Sequence, residues 1–155
     1  MIKWDRGRAE VEQLLKQSRL TPVHPNRELA DEYIATAKQR LEAVEAIRTI
    51  DPSGAFVLAY DAARLALAAI LVNQGLRPRG EGAHAVLLEV VVAQLEPPRR
   101  EEFRQFSWMR QLRNDTQYPD VDRPTATADD LEQAIPAAAQ IIESAEAVIP
   151  HMPAF

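Results

Sequence analysis

The stretch "DPSGAFVLAYDAARLALAAILVNQG", residues 51 to 75, decides the fold. Asp51 suits an N-cap and Pro52 the first helical turn, so a helix is predicted from here to about Gly75. It is apolar on nearly every side, the mark of a helix enclosed by others rather than lying on a surface. Ala55 to Val72 is apolar enough to suggest a membrane span. Asp61 and Arg64 fall inside it, however, and two central charges would cost roughly 5 to 7 kcal/mol on insertion scales. The better prediction is the central helix of a bundle with no membrane contact.

Outward from this helix the chain reads as a row of helices. Val11, Leu14 and Leu15 follow helical spacing between Asp5 and about Leu20, and "TPVHP" then breaks the chain. Asn26 caps a second helix to about Ile50, with Leu29, Tyr33, Ile34, Ala37, Leu41, Val44 and Ile47 as its buried stripe. After residue 75, "GLRPRGEG" reads as a loop. A fourth helix spans about Ala83 to Leu95 and is ended by Pro97 and Pro98. A fifth runs from about Arg99 to Tyr118. Thr127 and Asp130 predict a capping box opening a last helix to about Ile149, in which Pro136 should produce a kink or displace the first turns. No segment alternates as a paired strand would, and "VLLEVVVAQ" is assigned to helix. The expected fold is all-α: a five- or six-helix, mostly antiparallel bundle forming one domain over 1–155. Residues 1–25 would be its N-terminal helix and linker, and 150–155 a tail ordered only if it docks.

Composition agrees. The chain has 155 residues, 46% of them apolar, with 5 glycines against 11 prolines. The absence of cysteine excludes disulfides, thiolate metal sites and cysteine nucleophiles, and the three histidines (His24, His84, His151) are too scattered for a histidine-rich metal site. No cofactor is expected. The N-terminus lacks the apolar run of a signal peptide, which predicts a cytoplasmic protein. Trp4 and Trp108 are read as packing anchors.

The net charge of −5 argues against a protein that coats nucleic acid. Its distribution is uneven: Arg99 to Arg113 holds five arginines against Glu101 and Glu102, a local +3, leaving −8 elsewhere. A basic patch on an acidic body suits a phosphate-bearing ligand held at one place. Arg99 and Arg100 read as ordinary solvated residues.

Within "MRQLRNDTQYPD", residues 109–120, Arg110, Arg113, Asn114 and Tyr118 share one helical face, on the side that Phe103 and Phe106 begin as core. A polar set continuing an apolar stripe is partly buried, and buried arginines need partners. Tyr60, Asp61 and Arg64 lie within one turn of the central helix. Asp61 can pair with Arg64, or across the bundle with Arg110 or Arg113. A structural ion network that fixes helix register accounts for the same residues as an active site does.

"RNDTQYPD" resembles the R-N-x-x-x-[HY] signature of the HEPN superfamily, small all-α domains of prokaryotic toxin–antitoxin, abortive-infection and RNA-processing systems. "YDAARLALAAILVNQGLRPRGEGAHAVLLEVV" resembles the central helix, basic loop and following helix of a HEPN subgroup. The resemblance implies a homodimer in which two signature helices form a shared cleft that cleaves RNA without a metal. It implies Arg113 on the scissile phosphate, Asn114 orienting that phosphate or a ribose hydroxyl, and Asp61 holding an arginine in position. Tyr118 stands where the best-supported ribonucleases have histidine. A phenol with a pKa near 10 is a poor base at neutral pH, although Tyr118 can donate a proton or hydrogen bond. His84, after the basic loop, is the other candidate source of an imidazole base. Arg110, Arg64, Arg77 and Arg79 complete the expected substrate-binding set.

Three functions follow. One is a metal-independent endoribonuclease, the toxin of a toxin–antitoxin or phage-defence system, restrained by a nucleotidyltransferase-type antitoxin. A second is a non-catalytic HEPN module binding a nucleotide, RNA or such a partner. The third is a purely structural helical dimer.

Overall fold

The computed structural model describes residues 5–95, 101–122 and 124–155. Among these residues six helices, α1 (Arg8–Lys16), α2 (Arg27–Ile47), α3 (Pro52–Gln74), α4 (Ala83–Leu95), α5 (Glu101–Gln117) and α6 (Ala128–Val148), make an all-α bundle ending in a 3-10 turn at Ile149–His151. The turn predicted at Pro97 and Pro98, with Arg99, Arg100 and Trp4, lies outside the described residues.

The helix starts are set by their caps. Asn26 Oδ1 accepts from Leu29 N at 2.9 Å, and Asp51 Oδ1 from Gly54 N at 3.0 Å. Gly54 leaves room for the Asp51 carboxylate, which a Cβ at this third position of α3 would oblige to shift. Thr127 and Asp130 form the reciprocal capping box of α6. That helix runs through Pro136, whose missing N–H falls on the exposed face, where water can satisfy the carbonyl it leaves unpaired. Gly75 ends α3 at φ 85°, a left-handed conformation that costs glycine little.

α3 is the central element. Thirteen of its side chains are buried, from Ala55 to Gln74, and it packs against α2, α4, α5 and α6. It is the one described helix long and apolar enough to cross a membrane, and 67% of its most apolar window is already covered by its neighbours. Two buried amides pair with each other: Gln74 and Gln94 exchange two hydrogen bonds of 2.6 and 2.9 Å between α3 and α4. The tail docks. Asn73 Nδ2 donates to the carbonyls of Ile149 and Met152, Phe155 N donates to Gln74 O, and Arg8 lies over the Phe155 ring.

Two local expectations are corrected. Helix α1 stops at Lys16 rather than near Leu20, because Ser18 takes φ 58° and turns the chain out of the helix. Leu20–Pro22 (β1) then pairs antiparallel with Leu76–Pro78 (β2), so a short ribbon exists where only loop was expected. Each strand has three residues and their pairing spans the length of two helices, so no local alternation could betray it.

Candidate functional site

A cleft of about 390 Å³ opens between the end of α2, the first half of α3, the start of α4 and the end of α5. Tyr60, Asp61, Arg64, His84, Arg113 and Gln117 carry its polar groups, and Ile47, Val57 and Leu58 its apolar wall.

Tyr60 is its inner anchor. The ring is 1% exposed, stacks on Phe106 at 5.1 Å and lies under the guanidinium of Arg113, 5.6 Å from Cζ to the ring centroid. Phe106 and Arg113 are seven residues apart on α5, two turns, so one helix face supplies both contacts. The Tyr60 hydroxyl sits 2.7 Å from Nδ1 of His84. Burial raises the phenol to about 12, against the opposing pull of Arg113, Arg64 and Arg110, so it is a neutral donor. Burial lowers the imidazole below its ordinary 6.5, helped by Arg64 and Arg113 and opposed by Asp61, so His84 is neutral at pH 7.

Asp61 pairs with two arginines. Oδ1 accepts from Arg64 Nε and Nη2 at 3.0 and 2.6 Å, and Oδ2 faces Arg40 Nε at 3.1 Å. Its partners therefore come from its own helix and α2, not from Arg110 or Arg113. Arg113 has no carboxylate partner among the described residues, and its Nε is buried without a hydrogen bond. Arg64 and Arg113 in the lining, with Arg40 beside Asp61 and Arg110 within electrostatic reach of Tyr60 and His84, put four positive charges against one carboxylate. The excess of positive charge in this corner of an acidic protein favours an anion over a cation.

The other expected residues fall elsewhere. Arg110 lines a shallow groove on the outer side of α5, next to the cleft. Asn114 is exposed and Tyr118 is 69% exposed, and neither lines the cleft. At about 100° per residue, Asn114 is a quarter-turn and Tyr118 about 140° around α5 from Arg113. The face that meets the core runs through Phe103, Phe106 and Met109, and its continuation brings Arg113 and Gln117, not Asn114 and Tyr118, to the cleft lining of the single chain. Arg77 and Arg79 are exposed on and after β2, away from the lining. Trp108 packs on Phe56 with centroids 6.1 Å apart, a packing role as expected. Gln117 and Arg40 were missed. Gln117 was legible as the residue one turn after Arg113, whereas nothing local marked Arg40, which reaches Asp61 from another helix.

Neither the curated proteins nor the solved structures contain a match to this sequence. Among protein families, the HEPN domain matches residues 27–148, from the start of α2 to the end of α6, the span that supplies every wall of the cleft. The chain belongs to the HEPN domain family.

Proposed function

We propose that the cleft binds the phosphate backbone of RNA and cleaves it, as a HEPN-type endoribonuclease needing no metal. The observation that carries this is Arg113: a cation without a carboxylate partner, held over the Tyr60 ring beside a neutral imidazole. RNA brings its own nucleophile in the ribose 2′-hydroxyl. Its attack on the adjacent phosphorus forms a 2′,3′-cyclic phosphate and breaks the bond to the 5′-oxygen. The 2′-hydroxyl proton passes to water, and the leaving 5′-oxygen takes one from water. Negative charge gathers meanwhile on the non-bridging oxygens, where a pre-placed guanidinium is most effective. His84 contacts the same phosphate.

A homodimer completes the site in this proposal. The exposed large apolar side chains among the described residues are Ile50, Tyr118 and Val121, at 82%, 69% and 99%. Ile50 lies one turn beyond Ile47 and Tyr118 directly follows Gln117, both lining residues, so two of the three flank the cleft in sequence. A second copy seated there would cover them and bring its own Asn114 and Tyr118 to the ligand. A toxin role restrained by a nucleotidyltransferase-type partner belongs to the same proposal and rests on family resemblance.

The test is incubation of the protein with cellular RNA in EDTA, beside Arg113→Ala. Cleavage by the wild type alone supports the nuclease. Intact RNA with both, each folded and the wild type still retaining RNA, would establish instead a non-catalytic RNA-binding module, which the place of Tyr118 outside the cleft lining favours.

A further inference from the structure

We infer that Tyr60 is a positioning residue that fixes His84 with its proton on Nε2, so that the imidazole meets a phosphodiester oxygen as a hydrogen-bond donor and not as a base. The inference rests on the phosphate-binding reading of the cleft and assigns the polarity of its imidazole.

The starting point is the 2.7 Å contact between the Tyr60 hydroxyl and Nδ1, which two proton arrangements can make. In one, Nδ1–H donates to the phenol oxygen, and the hydroxyl proton then needs an acceptor of its own. Tyr60 is 1% exposed, and among the described residues its hydroxyl has no second partner. That arrangement strands a buried donor, which is the costly kind of unmade hydrogen bond. In the other, the hydroxyl donates to Nδ1 and no donor is stranded. The neutral ring must then carry its proton on Nε2.

Nε2 is available for a ligand. It has no hydrogen-bond partner among the described residues, and it is not among the buried side-chain atoms left unpaired. The same holds for the terminal nitrogens of Arg113, whose Nε alone is enclosed. The cleft thus offers a cationic donor from α5 and a neutral donor from α4 side by side, while its one carboxylate is occupied by Arg64 and Arg40. Such a set recognises an acceptor-only group, as the non-bridging oxygens of a phosphodiester are. The inference replaces the expected base role of His84 with a donor role, because Nε2 in this tautomer has no lone pair with which to take a proton.

The experiment is side-chain ¹⁵N–¹H correlation NMR of His84 in the free protein, at a pH above the imidazole's titration, for wild type and Tyr60→Phe. Expected for the wild type is the Nε2-protonated form alone, and for Tyr60→Phe an Nδ1 resonance moved toward the average of the two tautomers. An Nδ1-protonated wild type, or an Nδ1 resonance indifferent to Tyr60→Phe, overturns the inference. If Tyr60→Phe does not fold, the wild-type tautomer decides. A short DNA oligonucleotide with unphosphorylated ends, uncleavable because it lacks the 2′-hydroxyl, should then shift the Nε2–H proton. A shift given by inorganic phosphate but not by the oligonucleotide would overturn the phosphodiester assignment in favour of a free phosphate. Because the tautomer is read without turnover, its failure is distinct from failure of the RNA cleavage assay.

Discussion

The hydroxyl of Tyr60 and Nδ1 of His84 meet at 2.7 Å, tying the middle of α3 to the first turn of α4. The two residues are 24 positions apart, separated by the second half of α3 and the β2 ribbon. Around that contact the bundle assembles Arg113 from α5 and the Asp61–Arg64–Arg40 group from α3 and α2. What each part does can be separated by substitution.

Arg113→Ala should lower RNA cleavage by about 10²-fold or more, the scale of losing a donor to charge developing in a transition state. Folding should change little. Arg113 leaves no carboxylate unpaired when removed, and its contact with Tyr60 is worth on the order of 1 kcal/mol. Cleavage assays and thermal melts on the same preparation check both halves, and a large loss of melting temperature would point to a structural role.

Asp61→Asn should behave in the opposite proportion. It weakens the pairs with Arg64 and Arg40 together, and partly exposed pairs of this kind are worth roughly 0.2 to 1 kcal/mol each. A drop of a few degrees in melting temperature is expected, reduced by added salt, with RNA cleavage falling less than in Arg113→Ala.

The burial of His84 fixes the sign of a pH effect. Its folded-state pKa lies below its ordinary 6.5, so under mildly acidic conditions the unfolded chain binds the proton before the folded one does. Stability from this residue is therefore present above 6.5 and is lost as pH falls from there through the lowered folded value. Melts of the wild type across this window should decline more steeply than those of His84→Gln. Equal slopes would remove the residue from the account.

Gln94→Leu should destabilise the fold by about 1 to 3 kcal/mol, because it strands the buried Gln74 amide. The pair lies outside the cleft lining, so RNA binding at a temperature where the variant stays folded should match the wild type.

Ile50→Glu combined with Val121→Glu should shift a dimer toward monomer in analytical ultracentrifugation, since it charges two of the exposed apolar side chains that the proposed partner would cover. Both side chains are exposed in the single chain, so its unfolding free energy at high dilution should stay within about 1 kcal/mol of the wild type. Unchanged self-association would place any dimer contact on another face.

The sequence by itself determined the helical bundle. Helices rest on local periodicity and caps, and Asn26, Asp51, Thr127 with Asp130, and the all-round apolarity of residues 55–72 are each readable within a few residues. The HEPN signature was legible for the same reason: one short segment carries it, Arg113 included. Tertiary structure alone decided what the arginine faces. Helical phase is known only to within a residue or so from pattern, and that slack set Asn114 and Tyr118 on the cleft side when Gln117 belongs there. Arg40 at Asp61, Tyr60 under Arg113, the hydroxyl on His84 Nδ1 and the three-residue ribbon all join residues from separate elements. Such contacts depend on how helices rotate and seat against one another, which is settled by the packing of the whole core and not by any local run of residues.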